Sequence, residues 1–187
     1  MMYDKAKAIL KKFYGYEDFR SGQAKVIKSL LSGKDTVAIM PTGAGKSICF
    51  QIPALLFSGI TLVISPLISL MKDQVDSLKE LGISAVYINS SIDKTEFAHS
   101  LQGIAAGYYK IIYIAPERLT PEYLPAIFKN LPISMIAVDE AHCLSQWGHD
   151  FRPSYKNILT FVQSLAEKPL IGAFTATATP EVKEDII

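Results

Sequence analysis

Two short stretches carry residue types that handle phosphate. The run Met40-Pro41-Thr42-Gly43-Ala44-Gly45-Lys46-Ser47 sets glycines just ahead of a lysine and a hydroxyl. Gly43 and Gly45 allow the backbone to curl so that successive N–H groups point at one anion. A helix starting at Lys46 adds its unbonded N–H groups and positive dipole end at the same place. With Thr42 and Ala44 the loop reads as a phosphate cradle, in which Lys46 reaches the β- and γ-phosphates and Ser47 offers its hydroxyl to Mg²⁺. The run departs from the general pattern at Met40, where glycine is expected. A dinucleotide turn is the rival reading, but it wants a small residue where Ile48 stands and has no use for Lys46. The second stretch is Asp139-Glu140, at the end of an apolar run. Asp139 suits Mg²⁺, held through water, and Glu140 suits a base that orients and deprotonates an attacking water. Alone, two acids there read equally as charges favouring a helix N-terminus. Together with a phosphate loop they point to one catalytic centre.

Such a centre requires elements that bring two distant loops together. Apolar runs with little alternation occupy residues 36–40, 61–65, 85–88, 110–115, 133–139 and 170–175, and residues 46–56, 67–81 and 94–106 between them have helical spacing. Continuous apolar runs indicate strands covered on both faces, and alternation with helices indicates parallel crossovers. The expected fold is α/β: a three-layer αβα sandwich around a mostly parallel sheet, with ligands at the carboxyl ends of the strands. Ahead of it, residues 6–13 and 22–31 predict two helices, with Ser21 capping the second and Gly33 breaking it. A helix over 180–187 is capped by Thr179. The chain stops inside that helix, which points to a piece of a longer protein. Residues 1–187 read as one domain, with 1–33 forming its N-terminal helical part.

Composition bounds the partners. The net charge is +1, so charge alone gives no argument for nucleic-acid binding, and any such surface is a local patch. The two cysteines, Cys49 and Cys143, make no CxxC pair and no zinc spacing. Neither a signal-peptide core nor an apolar run of spanning length is present, so a cytoplasmic location, nucleoid-associated if bacterial, is expected.

Asp139-Glu140-Ala141-His142 is also a helicase signature, and with the glycine loop it resembles superfamily 2 helicases of the DExH type. Three further stretches resemble the RecQ family of DNA helicases in particular. Phe13-Tyr14-Gly15-Tyr16-Glu17-Asp18-Phe19-Arg20-Ser21-Gly22-Gln23 resembles its adenine-recognition motif. Ala141-His142-Cys143-Leu144-Ser145-Gln146-Trp147-Gly148-His149-Asp150-Phe151-Arg152-Pro153 resembles its aromatic-rich loop, the most specific of these signals. Ser65-Pro66-Leu67-Ile68-Ser69-Leu70-Met71-Lys72-Asp73-Gln74 and Tyr113-Ile114-Ala115-Pro116-Glu117-Arg118-Leu119 resemble motifs Ia and Ib, and Thr175-Ala176-Thr177-Ala178 the third motif. The likeness runs from about residue 10 to residue 179.

The resemblance implies roles. Gln23 pairs with the adenine edge, Tyr16 stacks on the base and Arg20 lies beside it. For Phe13 and Phe19, core packing is the better reading. His142 joins the catalytic set with Lys46, Asp139 and Glu140, and hydroxyls of the third motif bond His142 or Asp139. Ser69, Lys72 and Arg118 contact the DNA backbone, though a helix start and surface charges explain each equally well. Trp147, Phe151 and Arg152 stack on single-stranded bases and touch phosphate, with core packing as the alternative for the two aromatics. A zinc site from His142, Cys143 and His149 lacks a fourth ligand. The implied whole is the first RecA-like domain of a motor that moves three-prime to five-prime on DNA, hydrolyses ATP with Mg²⁺, and serves repair or recombination. Its partners are DNA and a second RecA-like domain carrying an arginine finger. An RNA helicase or other translocase, and a non-catalytic nucleotide-binding module, are the competing readings; a GTPase ranks last, with no Asn-Lys-x-Asp motif.

Overall fold

The computed structural model describes residues 1–120, 126–145 and 151–186. The strands are β1 (Thr36–Ile39), β2 (Ile60–Ile64), β3 (Ala85–Ile88), β4 (Ile111–Ile114), β5 (Ile133–Val138) and β6 (Leu170–Thr175). They lie in one sheet in the order β1-β6-β5-β2-β4-β3, and every pair is parallel. The helices are α1 (Met2–Ile9), α2 (Ser21–Leu31), α3 (Lys46–Leu56), α4 (Ile68–Glu80), α5 (Lys94–Ala105), α6 (Lys156–Ser164) and α7 (Pro180–Ile186). All six apolar runs are strands bounded by turns or helices; the four inner ones and β3 are covered on both faces, whereas the edge strand β1 leaves Val37 and Ile39 exposed.

The alternation of side chains along each strand divides the core. On one face Val63, Tyr113, Met135, Ala137 and Phe174 pack with Phe50 of α3 and with Met71, Val75 and Leu78 of α4. On the other, Leu62, Ile64, Ile112, Ile136 and Val138 pack with Ile104 of α5 and with Ile158 and Phe161 of α6. A third cluster, including Ala6, Leu10, Phe19, Ile27 and Ile52, fastens α1 and α2 onto α3. Phe19 is therefore a core residue, and half-buried Phe13 packs against the cluster under α3 and α4.

Three local expectations are corrected. The first helix begins at Met2 and passes into a π-helical turn over Leu10–Tyr14, which Gly15 ends with φ 75°. Ser21 is the first helical residue of α2 rather than its cap; Arg20 takes the extended cap position at φ −60°, ψ 151°. Gln23 Oε1 reaches back to accept the Arg20 N–H at 3.0 Å, the reciprocal half of a capping box. Helix α6, between the aromatic-rich loop and β6, was not foreseen. At the other end Thr179 Oγ1 accepts the Val182 N–H at 3.4 Å, in keeping with its reading as a cap. Among the described residues no helix is long and apolar enough to cross a membrane.

Candidate functional site

The glycine loop joins β1 to α3. Gly43 and Gly45 both have φ of 79°, the left-handed region closed to most side chains. Among the described residues Glu140 is the one non-glycine with positive φ, so Met40 sits in ordinary backbone. Its N–H donates to the Thr175 carbonyl at 2.9 Å, prolonging the β1–β6 ladder, and its side chain is buried. The missing glycine therefore leaves the loop conformation intact.

β5 lies two strands from β1, with β6 between, so the carboxyl ends of all three converge on one edge. Lys46 Nζ lies 3.3 Å from Glu140 Oε1 across that edge, and both side chains are mostly buried. His142 Nδ1 lies 3.3 Å from the other Glu140 oxygen, Oε2. It also lies 2.9 Å from Thr175 Oγ1 at the tip of β6. Thr175 donates its own proton to the Thr177 carbonyl at 2.9 Å. The hydroxyl has only one proton, so with Thr175 donating to Thr177 the His142 ring is the donor, its single Nδ1–H shared between Thr175 Oγ1 and the more distant Glu140 Oε2. The resemblance anticipated that contact. Glu140 is held by the lysine on one side and the imidazole on the other, and it adopts φ 48°, ψ 47°. Such backbone strain in a glutamate persists only where neighbours over-determine it.

Asp139 sits beside this cluster at 8% exposure. Burial first, then the Glu140 charge, push its carboxyl up to about 6, while Lys46 pulls the other way. Its Oδ1 accepts the Glu140 N–H at 3.0 Å. Its carbonyl accepts from the Tyr155 hydroxyl at 2.8 Å, and that phenol is fully buried. Tyr155 carries no signal in the sequence: it lies two residues beyond the aromatic-rich stretch, and nothing about its type points to Asp139.

On the far side of the loop, Arg20 Nη1 donates to the Gly43 carbonyl at 2.9 Å. Gln23 Nε2 donates to the carbonyls of Ala44 and Gly45, each at 3.2 Å. The Gln23 amide, expected to present donor and acceptor to a base, is thus engaged with the loop and with the Arg20 N–H. In this structure it is a brace for the glycine loop, because residue 23 falls on the first turn of α2 facing the start of α3. Tyr16 is 57% exposed beside it, open to a stacking partner. Thr42 is exposed at the loop tip, and Ser47 is half-buried on the first turn of α3.

The candidate nucleic-acid residues fall at the tips of β2 and β4, on the same edge but the other half of the sheet. Ser69 and Lys72 are exposed near the start of α4. Arg118 is less available than expected: Nη2 donates to the Asn89 carbonyl at 3.1 Å, and the guanidinium lies 5.9 Å from the Phe97 ring centroid. Arg152 Nη1 donates to the Pro66 carbonyl at 3.2 Å, fastening the aromatic-rich segment to the β2 tip. Phe151 is half-buried, with Lys156 Nζ 5.6 Å from its ring centroid. Trp147 lies outside the described residues.

Fold and site together define a P-loop domain of the RecA-like kind. The family model for DEAD/DEAH box helicases matches residues 20–186, and the chain belongs to that family. It is 55% identical over 186 residues to the ATP-dependent DNA helicase RecQ of Bacillus subtilis strain 168, covering 99% of this chain and 32% of that protein. It is 47% identical over 179 residues to the protein of the same name from Pasteurella multocida strain Pm70, covering 96% of this chain and 28% of that one. The chain spans about a third of the length of these curated relatives. A crystal structure of the DUF1998 helicase MrfA bound to DNA superposes with TM-score 0.77 at 20% identity, over 98% of this chain and 28% of that one, a likeness of fold.

Proposed function

We propose that this chain is the nucleotide-binding first motor domain of a RecQ-type DNA helicase, coupling ATP hydrolysis to strand separation with three-prime to five-prime movement, in DNA repair or recombination. The observation that carries the reading is the meeting of Lys46 and Glu140 at 3.3 Å. The two residues are 94 positions apart, and the segments that carry them leave the carboxyl ends of β1 and β5 on the same sheet edge.

The backbone N–H groups of residues 43–47 bind the β- and γ-phosphates, and Lys46 turns from Glu140 onto them. That exchange frees Glu140 to take a proton from water while His142 and Thr175 keep its carboxylate oriented. Tyr16 and Arg20 border the place for the base, and Gln23 holds the loop that grips the phosphates. The residues present fit Mg²⁺. Asp139 is a buried carboxylate just beyond β5 whose charged form burial disfavours, and the Ser47 hydroxyl stands on the first turn of α3. Held by Asp139 and the Ser47 hydroxyl, the ion would neutralise phosphate charge. Ser69 and Lys72 meet the phosphates of a bound strand. Arg118 and Arg152, tied to backbone carbonyls, keep the strand-tip loops in place beside them.

The test is hydrolysis in the full-length protein with single-stranded DNA present. Lys46→Ala and Glu140→Gln are each expected to lower turnover by about 10²-fold or more, Glu140→Gln with nucleotide binding kept. Stimulation by single-stranded DNA should exceed stimulation by RNA of the same length. Full turnover in the Glu140→Gln protein would leave a nucleotide-binding module without catalysis, and preferential stimulation by RNA would move the substrate to RNA.

A further inference from the structure

Beneath the site runs a polar cluster that none of the motif roles uses. The Tyr14 hydroxyl donates to Gln51 Oε1 at 2.8 Å. Gln51 Nε2 donates to Gln74 Oε1 at 2.9 Å and to the Tyr113 hydroxyl at 3.1 Å. Tyr113 in turn lies 3.5 Å from Gln74 Oε1. Gln51 and Tyr113 are buried at 4% and 2% exposure, among Phe50, Met71 and Val75. Burial holds the Tyr14 phenol up at about 12 and raises that of Tyr113 as well, so both remain hydrogen-bond donors at any physiological pH.

Each member belongs to a different element, and each element carries a different candidate motif. Tyr14 precedes Tyr16 and Arg20 at the base side. Gln51 lies on α3, one helical turn beyond Ser47, so it shares a face with the phosphate-binding end. Gln74 lies on α4, whose first turns carry Ser69 and Lys72. Tyr113 is on β4, whose tip leads to Arg118. An apolar plug of equal volume would hold α3 and α4 on the sheet at no desolvation cost. A satisfied amide–phenol cluster instead fixes one relative placement of the four elements, because any slip leaves a buried donor unpaired.

We infer that Tyr14, Gln51, Gln74 and Tyr113 form a coupling node that transmits the position of the phosphate-binding helix to the helix and strand tip that hold nucleic acid. This rests on the function proposed above and names residues outside its binding and catalytic sets. The four act by positioning: when nucleotide draws the N-terminus of α3, the Gln51 amide carries Gln74 and Tyr113 with it. By linkage, nucleic acid must then alter nucleotide affinity by the same factor.

The test measures the Kd of a fluorescent single-stranded DNA oligonucleotide for the full-length protein, with and without a non-hydrolysable ATP analogue and Mg²⁺. The unmodified protein should show a ratio of roughly 5- to 150-fold, the usual size of such coupling. Tyr113→Phe, which removes one hydroxyl, and Gln51→Leu, which removes the central amide, should bring the ratio to within about twofold of one while analogue affinity without DNA stays within about twofold of the unmodified protein. A purely structural role would lower the melting temperature and leave the ratio untouched. An unchanged ratio in a folded Tyr113→Phe protein overturns the node and spares the proposed function. A ratio of one in the unmodified protein overturns the node too, while the proposed function stands or falls on the hydrolysis test.

Discussion

Asp139 is a buried carboxylate whose surroundings oppose its charge. Its folded pKa, about 6, stands above the ordinary value of 3.8, so the folded chain keeps the proton to higher pH than the unfolded chain does. The resulting cost to stability is absent below the unfolded pKa and is complete above about 6. Asp139→Asn keeps an acceptor for the Glu140 N–H and removes the charge. Without nucleotide or metal it should raise stability by about 3 kcal/mol at pH 7.5, and the gain should shrink steadily as pH falls from 6 toward 4. Urea melts of both proteins at several pH values give the answer; a gain independent of pH would mean that the buried charge is not its source. Gly45 presents a second residue-scale conflict. A Cβ there would stand 2.3 Å from Gln23 Nε2, in a backbone conformation with φ of 79°. Gly45→Ala should therefore weaken nucleotide binding by displacing the brace as well as by straining the loop. In a Gln23→Ala background the clash is gone, so the same substitution should do less harm, a coupling of about 1 kcal/mol in a double-mutant cycle. Strictly additive effects would show that Gln23 does not set the loop.

At the scale of elements, what the sequence made legible was whatever a period or a motif encodes. Each apolar run is a strand within a residue or two; strands buried on both faces leave an uninterrupted signature, and β1 shows the same run although Val37 and Ile39 are exposed. Lys46–Leu56 was placed to the residue, since a glycine loop fixes where its helix must begin. The pairing of His142 with Thr175 came from the motifs, whereas the ties of Gln23 to the loop and of Tyr155 to Asp139 are side chain to backbone and leave no trace in residue type. Helix α6 was missed for a physical reason. Its buried residues Ile158 and Phe161 have helical spacing, yet Leu159 between them is 64% exposed and blurs the stripe, and no side chain caps its start. The contrast is testable. Phe161→Ala should cost about 3–5 kcal/mol, as for a large side chain removed from a packed core. Leu159→Ala should stay within about 0.5 kcal/mol. Equal effects of the two substitutions in thermal melts would mean that α6 presents a different face to β5 and β6.

The sheet order sets two groups of candidate residues side by side on one edge. β1 and β5 lead into the candidate phosphate loop and the acid pair, β6 between them ends in Thr175, and β2 and β4 lead into the candidate nucleic-acid contacts, with β5 and β2 as immediate neighbours. Nothing in the described residues reaches over the Lys46–Glu140 pair with a further arginine: Arg20 is bonded to Gly43, Arg118 to Asn89 and Arg152 to Pro66. A transferring phosphoryl group held by this chain alone would thus lack a positive charge on its outer side, where an arginine from a second domain contributes roughly 10³- to 10⁵-fold in such enzymes. The curated relatives are about three times as long as this chain, ample for that domain. The 187-residue chain by itself should then bind nucleotide weakly and hydrolyse it at least about 10³-fold more slowly than the full-length protein saturated with single-stranded DNA. It should also fail to unwind a duplex with a single-stranded tail. If the isolated chain turned over ATP at the full-length rate, or separated the strands unaided, the missing charge would have to come from within, and the two-domain motor would lose its basis.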